Sequence, residues 1–146
     1  MTNRQEFPMT GFTLHSQLEN DCHVMGHLHG CLLLLHRNSA LPWYILVPKS
    51  NVNQLHLLPP ATRSGLNRAM DQMAEFVLSQ PGCEHTNVAA IGNRVPQLHL
   101  HVVGRWQGDP CWPGVIWGNL PEAPARSAGE VGRLLGLLSE LRGFNG

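Results

Sequence analysis

Charge is scarce in this 146-residue chain. Asp, Glu, Lys and Arg make up only 14% of it, and ten basic residues balance ten acidic ones to a formal net charge of zero. No Lys/Arg cluster is present that could follow a nucleic-acid backbone, which argues against a nucleic-acid partner. A phosphate-bearing ligand would have to be held by a few local groups. Long apolar runs are also missing. The longest aliphatic stretch is Leu32–Leu35, far short of the roughly 20 residues that span a bilayer. The opening segment MTNRQEFPMTG lacks the apolar core of a signal peptide, so no membrane partner and a cytoplasmic location are expected. The four cysteines (Cys22, Cys31, Cys83 and Cys111) form no C-x-x-C pair. A chain of this length needs no covalent staples, so free thiols in a reducing compartment are expected.

What is present is a 42% hydrophobic composition, enough for one core, and residues 1–146 are read as a single domain. Residues 1–10 form a loose lead-in. Gly11–Ser16 (GFTLHS) has a short strand-like pattern. CHVMGHLHGC follows, with Gly26 and Gly30 as turn points. Cys31–Arg37 reads as a buried strand, although periodicity alone leaves helix open. Pro42–Lys49 (PWYILVPK) is rich in β-formers and bounded by prolines, which favours a strand. NSAL between the two makes the turn of a hairpin.

Leu66, Ala69, Met70, Met73, Phe76 and Val77 then recur at helical spacing. They predict one amphipathic helix over about 62–80, stopped by Pro81-Gly82. Two more strands are expected at Thr86–Ile91 and Gln97–Val103, joined by the turn GNRVP. Residues 106–128 are a Pro/Gly-rich loop. Val131, Leu134, Leu135, Leu138 and Leu141 mark a C-terminal helix over 129–143. Hairpin-connected strands and two main helices give an α+β class with an antiparallel sheet of about five strands.

The chemistry concentrates in VPQLHLHVVGR. Alternation along a strand sends Leu98, Leu100 and Val102 to the core and Gln97, His99, His101 and Val103 to the opposite face. Two imidazoles at i and i+2, roughly 6.5–7 Å apart along the strand, can converge on one small anion such as a phosphoryl group. A pair of ordinary hydrogen-bonded strand histidines fits an isolated H-x-H as well. A metal site is a third reading, in which Cys22, His27, His29 or Cys31 would add ligands for zinc, but their spacing matches no recognised zinc pattern.

NVAAIGNRVPQLHLHVVGR resembles the signature of the histidine triad (HIT) family, His-φ-His-φ-His-φ-φ with φ apolar, on a strand after a glycine-containing turn. His99 and His101 match the second and third histidines, and Gln97 replaces the first. PWYILVPK is similar to the family's strand ending in Val/Ile-Pro-Lys/Arg, and the likeness covers roughly residues 20–105. It implies a HIT-like fold and a nucleotide phosphohydrolase or nucleotidyl transferase acting at the α-phosphate. In that scheme His99 is the nucleophile and forms a covalent nucleotidyl-imidazole. The main-chain carbonyl of Gln97 holds the proton on its Nδ1. His101 donates a hydrogen bond to a phosphate oxygen, and no metal or other cofactor is required. Substrates of the dinucleoside polyphosphate or nucleoside phosphoramidate class with a purine base are implied, as is a homodimer.

Gln97 resembles what a bacterial branch of the family carries. Its amide can donate to phosphate or to a leaving group but cannot carry a proton as imidazolium does. Trp43 stands where some members have a supporting histidine. Asn87, Asn93 and Arg94 lie where phosphate contacts are found in the family, and Asn38 is a candidate for the ribose. Trp112 and Trp117 either stack on a base or pack the loop. His15, His23, His27, His29, His36, His56 and His85 are read as surface or ordinary structural histidines. A catalytically weak nucleotide-binding sensor or scaffold is the alternative, motivated by Gln97 and Trp43. A zinc-binding protein is the third.

Overall fold

The computed structural model describes residues 12–146, so the lead-in over 1–10 lies outside the described residues. A short helix α1 (Ser16–Asp21) leads into three strands in succession: β1 (Cys22–Leu28), β2 (Cys31–His36) and β3 (Trp43–Pro48). A 3-10 turn at Leu55–Leu57 and the long helix α2 (Pro60–Leu78) follow. Then come β4 (His85–Ala89), β5 (Leu100–Arg105), α3 (Ala128–Leu138) and the two-residue β6 (Phe144–Asn145). The strands form one sheet in the order β4-β5-β3-β2-β1-β6, and every neighbouring pair is antiparallel.

β2 lies inside the sheet with β1 and β3 as neighbours, and its composition reflects that position. Leu33 and Leu35 enter the cluster beneath α2, while Leu32 and Leu34 enter a second cluster on the opposite face. All four are fully buried, and each leucine so placed contributes about 1.5–3 kcal/mol. A strand covered on both faces needs no polar alternation, which is why this run has none. α2 starts with Pro60 at a position where the missing N–H costs nothing. It buries Leu66, Ala69, Met73, Phe76 and Val77 against Tyr44, Leu46, Leu100 and Val102. The close approach of helix to sheet needs Gly104. A Cβ there would lie 2.7 Å from Cys83 Sγ and 2.9 Å from Val77 Cγ1.

Several expectations are adjusted. The sheet has six strands rather than about five, because Phe144–Asn145 pairs with the end of β1. Gly26 makes this pairing possible: it sits at a register shift in β1 with φ +156, and a Cβ would strike the carbonyl of Asn145. Residues 12–15 are not one of the six strands; they run into α1, which His15 caps by accepting a hydrogen bond from Gln17 N. β5 begins at Leu100, so Gln97 and His99 stand in the approach to the strand. α3 follows the Ser127 N-cap, whose hydroxyl accepts from Glu130 N at 3.1 Å. Leu134 and Leu138 are buried, but Leu135, expected on the apolar stripe, is 38% exposed. All four cysteines are free thiols. No helix among the described residues is long and apolar enough to cross a membrane.

Candidate active site

The sheet face opposite α2 carries a cleft of about 850 Å³, inside the range of roughly 300–1,000 Å³ typical of small-molecule sites. Its floor is formed by alternate residues of β2, β3 and β5: His36, Trp43, Ile45 and His101. Leu18 of α1, Val95 of the 90–99 loop, and Ile116 and Trp117 of the loop after β5 form apolar walls. A smaller cavity of about 290 Å³ lies beside it, lined in part by Asn53, Gln54 and Leu55. The two share Ile91, Gly92 and His99, so the His99 ring borders both hollows.

His99 and His101 are each only 6% exposed, and their ring centroids are 4.9 Å apart. The rings therefore lean together relative to the spacing of an extended strand. His99 Nδ1 donates to the carbonyl of Gln97 at 2.7 Å. A carbonyl can only accept, so the proton resides on Nδ1 and Nε2 keeps its lone pair. Burial pushes the proton affinity of His99 below the ordinary imidazole range, the bond to the Gln97 carbonyl opposes that, and a charge on His15 would add to it.

His101 has the opposite tautomer. The indole Nε1–H of Trp43 donates to His101 Nδ1 at 3.0 Å, which puts the ring proton on Nε2 as a donor. Burial, then the neighbouring His99 and His36, push its pKa down to about 3, so the ring is neutral across the physiological range. Trp43 is itself held by His36, whose ring stacks on it with centroids 3.7 Å apart and planes 4° from parallel. His36 Nδ1 accepts from Asn38 N at 3.1 Å, and burial lowers its pKa to about 4. The indole of Trp43, held in this way, orients the His101 ring directly.

The other expected residues divide. Asn93 and Arg94 are exposed on the cleft rim. Asn38 lines the cleft, and its amide is engaged in the turn: Oδ1 accepts from Ala40 N at 2.9 Å and Nδ2 donates to Pro121 O at 3.2 Å. Asn87 is not among the cleft residues. It lies opposite Val103 on β4, and its Oδ1 accepts from Arg105 Nη1 at 2.8 Å. The Gln97 amide is likewise engaged: Oε1 accepts from His15 N and Nε2 donates to Thr13 O, both at 2.8 Å. It does not stand free to meet a leaving group.

Sequence reasoning passed over His15 and His36, which line the cleft, and over the supporting role of Trp43. Of the two loop tryptophans, Trp117 enters the cleft with its ring centroid 5.3 Å from that of His101. Its indole N–H is buried without a hydrogen-bond partner, an uncommon state for a buried donor. Trp112 instead lies over the Arg105 guanidinium at 5.6 Å.

The zinc reading gains no geometric support. Among the described residues no group of three or more His, Cys, Asp or Glu side chains converges as a metal site. Cys22 and Cys31 are buried, and burial raises both thiols, Cys31 to about 12, which disfavours the thiolate a metal needs.

The arrangement offers a neutral nitrogen nucleophile, a fixed N–H donor beside it, and an aromatic and aliphatic cleft. The HIT domain family matches residues 17–108 of the chain. A histidine triad protein from Sinorhizobium meliloti is similar in structure, with a TM-score of 0.85 and 34% identity over 91% of this chain and 99% of that one. One from Marinobacter aquaeolei gives a TM-score of 0.81 and 37% identity over 87% and 93%. A third, from Bradyrhizobium japonicum, gives 0.80 and 30% identity over 86% and 93%. Among curated proteins nothing matches.

Proposed function

Because the chain belongs to the histidine triad family, we propose that it is a nucleotide phosphohydrolase or nucleotidyl transferase that works through a covalent intermediate on His99. The observation that carries this reading is the 2.7 Å bond from His99 Nδ1 to the Gln97 carbonyl. It leaves Nε2 as the only nucleophilic lone pair of a buried, neutral ring.

In the first step Nε2 attacks the α-phosphorus. The bond from phosphorus to the leaving group breaks, and the leaving group departs with its electron pair and takes a proton from solvent. In the second step water, or another acceptor, attacks the same phosphorus, and Nε2 leaves with the electrons of the P–N bond. The acceptor's proton passes to solvent. Splitting one difficult displacement in two lowers both barriers. The Nε2–H of His101 supports the non-bridging oxygens as charge builds on them, a preorganised contact worth roughly 3–4 kcal/mol. Asn93 and Arg94 on the rim supply further phosphate contacts.

A purine nucleotide of the dinucleoside polyphosphate or phosphoramidate class suits the cleft, whose Trp117 and aliphatic walls present apolar area to a base. The smaller cavity on the other side of His99 gives room for a leaving group. A homodimer in the cytoplasm, with no metal, nucleic acid or membrane as partner, completes the reading, within a bacterial branch that carries Gln at the first triad position.

Intact-protein mass spectrometry after brief mixing with adenosine 5′-phosphoramidate tests it. The expected result is a nucleotidyl adduct on the parent protein and none on His99→Ala. Tight nucleotide binding by the parent with neither adduct nor turnover would favour the sensor reading, which the engagement of the Gln97 amide by main chain keeps in view.

A further inference from the structure

The two hydrogen bonds of the Gln97 side chain both run to the main chain of the segment before α1. A primary amide joined in this way, acceptor to one peptide and donor to another, imitates a rung of an antiparallel ladder. It binds residues 13–15 to the approach of the histidine strand. The segment needs such a clamp. α1 has six residues, and a helix that short does not persist alone. Its other anchors include the buried side chains of Phe12, Leu14 and Leu18 and the bonds that Asp21 O and Asn20 O accept from Arg37 N and Nε at the far end of the helix.

The residue so fixed is His15. Its Nδ1 accepts from Gln17 N at 3.0 Å, so the proton of the neutral ring lies on Nε2. His15 lines the same cleft as His99. Gln17 beside it is turned to Asp21, whose two carboxylate oxygens accept from its side-chain amide at 3.0 Å, which leaves His15 as the donor from this segment.

We propose, building on the reading of His99 as nucleophile, that His15 makes a phosphate contact that the engaged amide of Gln97 does not offer. Its Nε2–H donates a hydrogen bond to a non-bridging oxygen of the substrate's phosphate chain, and Gln97 is the positioning residue that holds it there. The first triad position is thereby divided in two. The Gln97 carbonyl sets the tautomer of the nucleophile, and the Gln97 amide carries in an imidazole from 82 residues earlier in the chain.

His15→Asn separates the roles of the ring. Asn is among the best N-caps, so α1 keeps its cap while the Nε2–H is lost. With adenosine 5′-phosphoramidate, kcat/KM should fall about 100-fold at unchanged Tm, and the adduct on His99 should still form, more slowly. Gln97→Ala releases the segment and should give a loss of the same order. The double variant should be no worse than the poorer single, because Gln97 acts through His15. Full activity in His15→Asn would overturn the proposal, leaving the ring as a cap only. So would losses that multiply in the double variant, because Gln97 would then act on its own. A parent protein with neither turnover nor adduct is a different outcome: it overturns the nucleophile assignment, and this inference with it.

Discussion

His99, His101, Val103 and Arg105 share one side of the β5 run, and its two ends solve the burial of polar groups in opposite ways. Arg105 is 1% exposed and charged, and its three nitrogens are all committed. Nε and Nη2 grip Asp109 at 2.7 and 3.0 Å, Nη1 donates to Asn87, and Nη2 also donates to Gly114 O at 2.8 Å. Asp109 in turn accepts from the amides of Trp106, Cys111 and Trp112. Burial works against its charge, yet these bonds hold its carboxyl down at about 2. At the other end the imidazoles are buried neutral, and each has one nitrogen fixed by a single partner and the other uncommitted in the bonds described. Burial of polar side chains therefore does not by itself mark a site. The saturated end is architecture, holding the loop that carries Trp117 to the cleft. The unsaturated end retains the bonding capacity that a substrate can use.

The largest expected effects are those that separate the ends. His99→Ala should reduce turnover by about 10⁴-fold or more, as loss of a nucleophile does, and change unfolding free energy by only about 1 kcal/mol, the worth of its one hydrogen bond. Arg105→Met should do the reverse. It leaves the Asp109 carboxylate buried without its partner, a loss of about 3–5 kcal/mol that urea denaturation would read directly. Arg105→Met with Asp109→Leu should recover much of it. If Arg105→Met were stable but inactive, the division into architecture and chemistry would be wrong.

Acid should sharpen the contrast. His36 and His101 have pKa values held near 4 and 3 in the fold but titrate near 6.5 when unfolded. Their folded values are depressed, so the unfolded chain takes up protons the native one refuses. Their full contribution is present above about pH 6.5 and is lost as pH falls toward 4, by an amount on the order of 3 kcal/mol for each ring. Asp109 behaves differently. Its stabilisation is complete above the unfolded value of about 3.9 and drains away only between there and its folded value of about 2. Urea melts at pH 7, 5.5 and 4 should show a fall in stability that His36→Phe makes shallower and Asp109→Leu leaves in place. A flat profile from 7 to 4 would contradict the buried neutral rings.

What was legible in the sequence followed local rules. The apolar run at Leu32–Leu35, the β-rich PWYILVP and the 3.6-residue spacing of Leu66 to Val77 each report their own environment, and strands and helix lie close to where they predict. Alternation put His99 and His101 on one face, opposite Leu98, Leu100 and Val102. The partners of these histidines were not legible, because nothing local encodes them. Gln97 meets Thr13 and His15 across 84 and 82 residues, and Trp43 meets His101 across 58. Asn87 is a phosphate candidate by the family resemblance, and the Arg105 that binds its Oδ1 lies 18 residues on, beyond any local pattern. Leu135 fits the helical stripe, yet α3 covers too little of the sheet to bury it.

The smallest effect tests the finest of these contacts. Trp43→Phe keeps an aromatic face for His36 to stack on but removes the N–H that donates to His101 Nδ1. The ring is then free to place its proton on either nitrogen, and in part of the population Nε2 presents a lone pair to the phosphate instead of a donor. Loss of an assured donor in that fraction, together with a less rigid ring, should lower kcat by about 10-fold, well under the cost of deleting a donor outright, with KM little changed. Nitrogen chemical shifts of the His101 ring distinguish the cause from simple loosening: a single Nε2–H tautomer in the parent should become a mixture in the variant. Reduced kcat with the tautomer unaltered would mean that Trp43 acts by packing, and that the donor at His101 is set by something other than the indole.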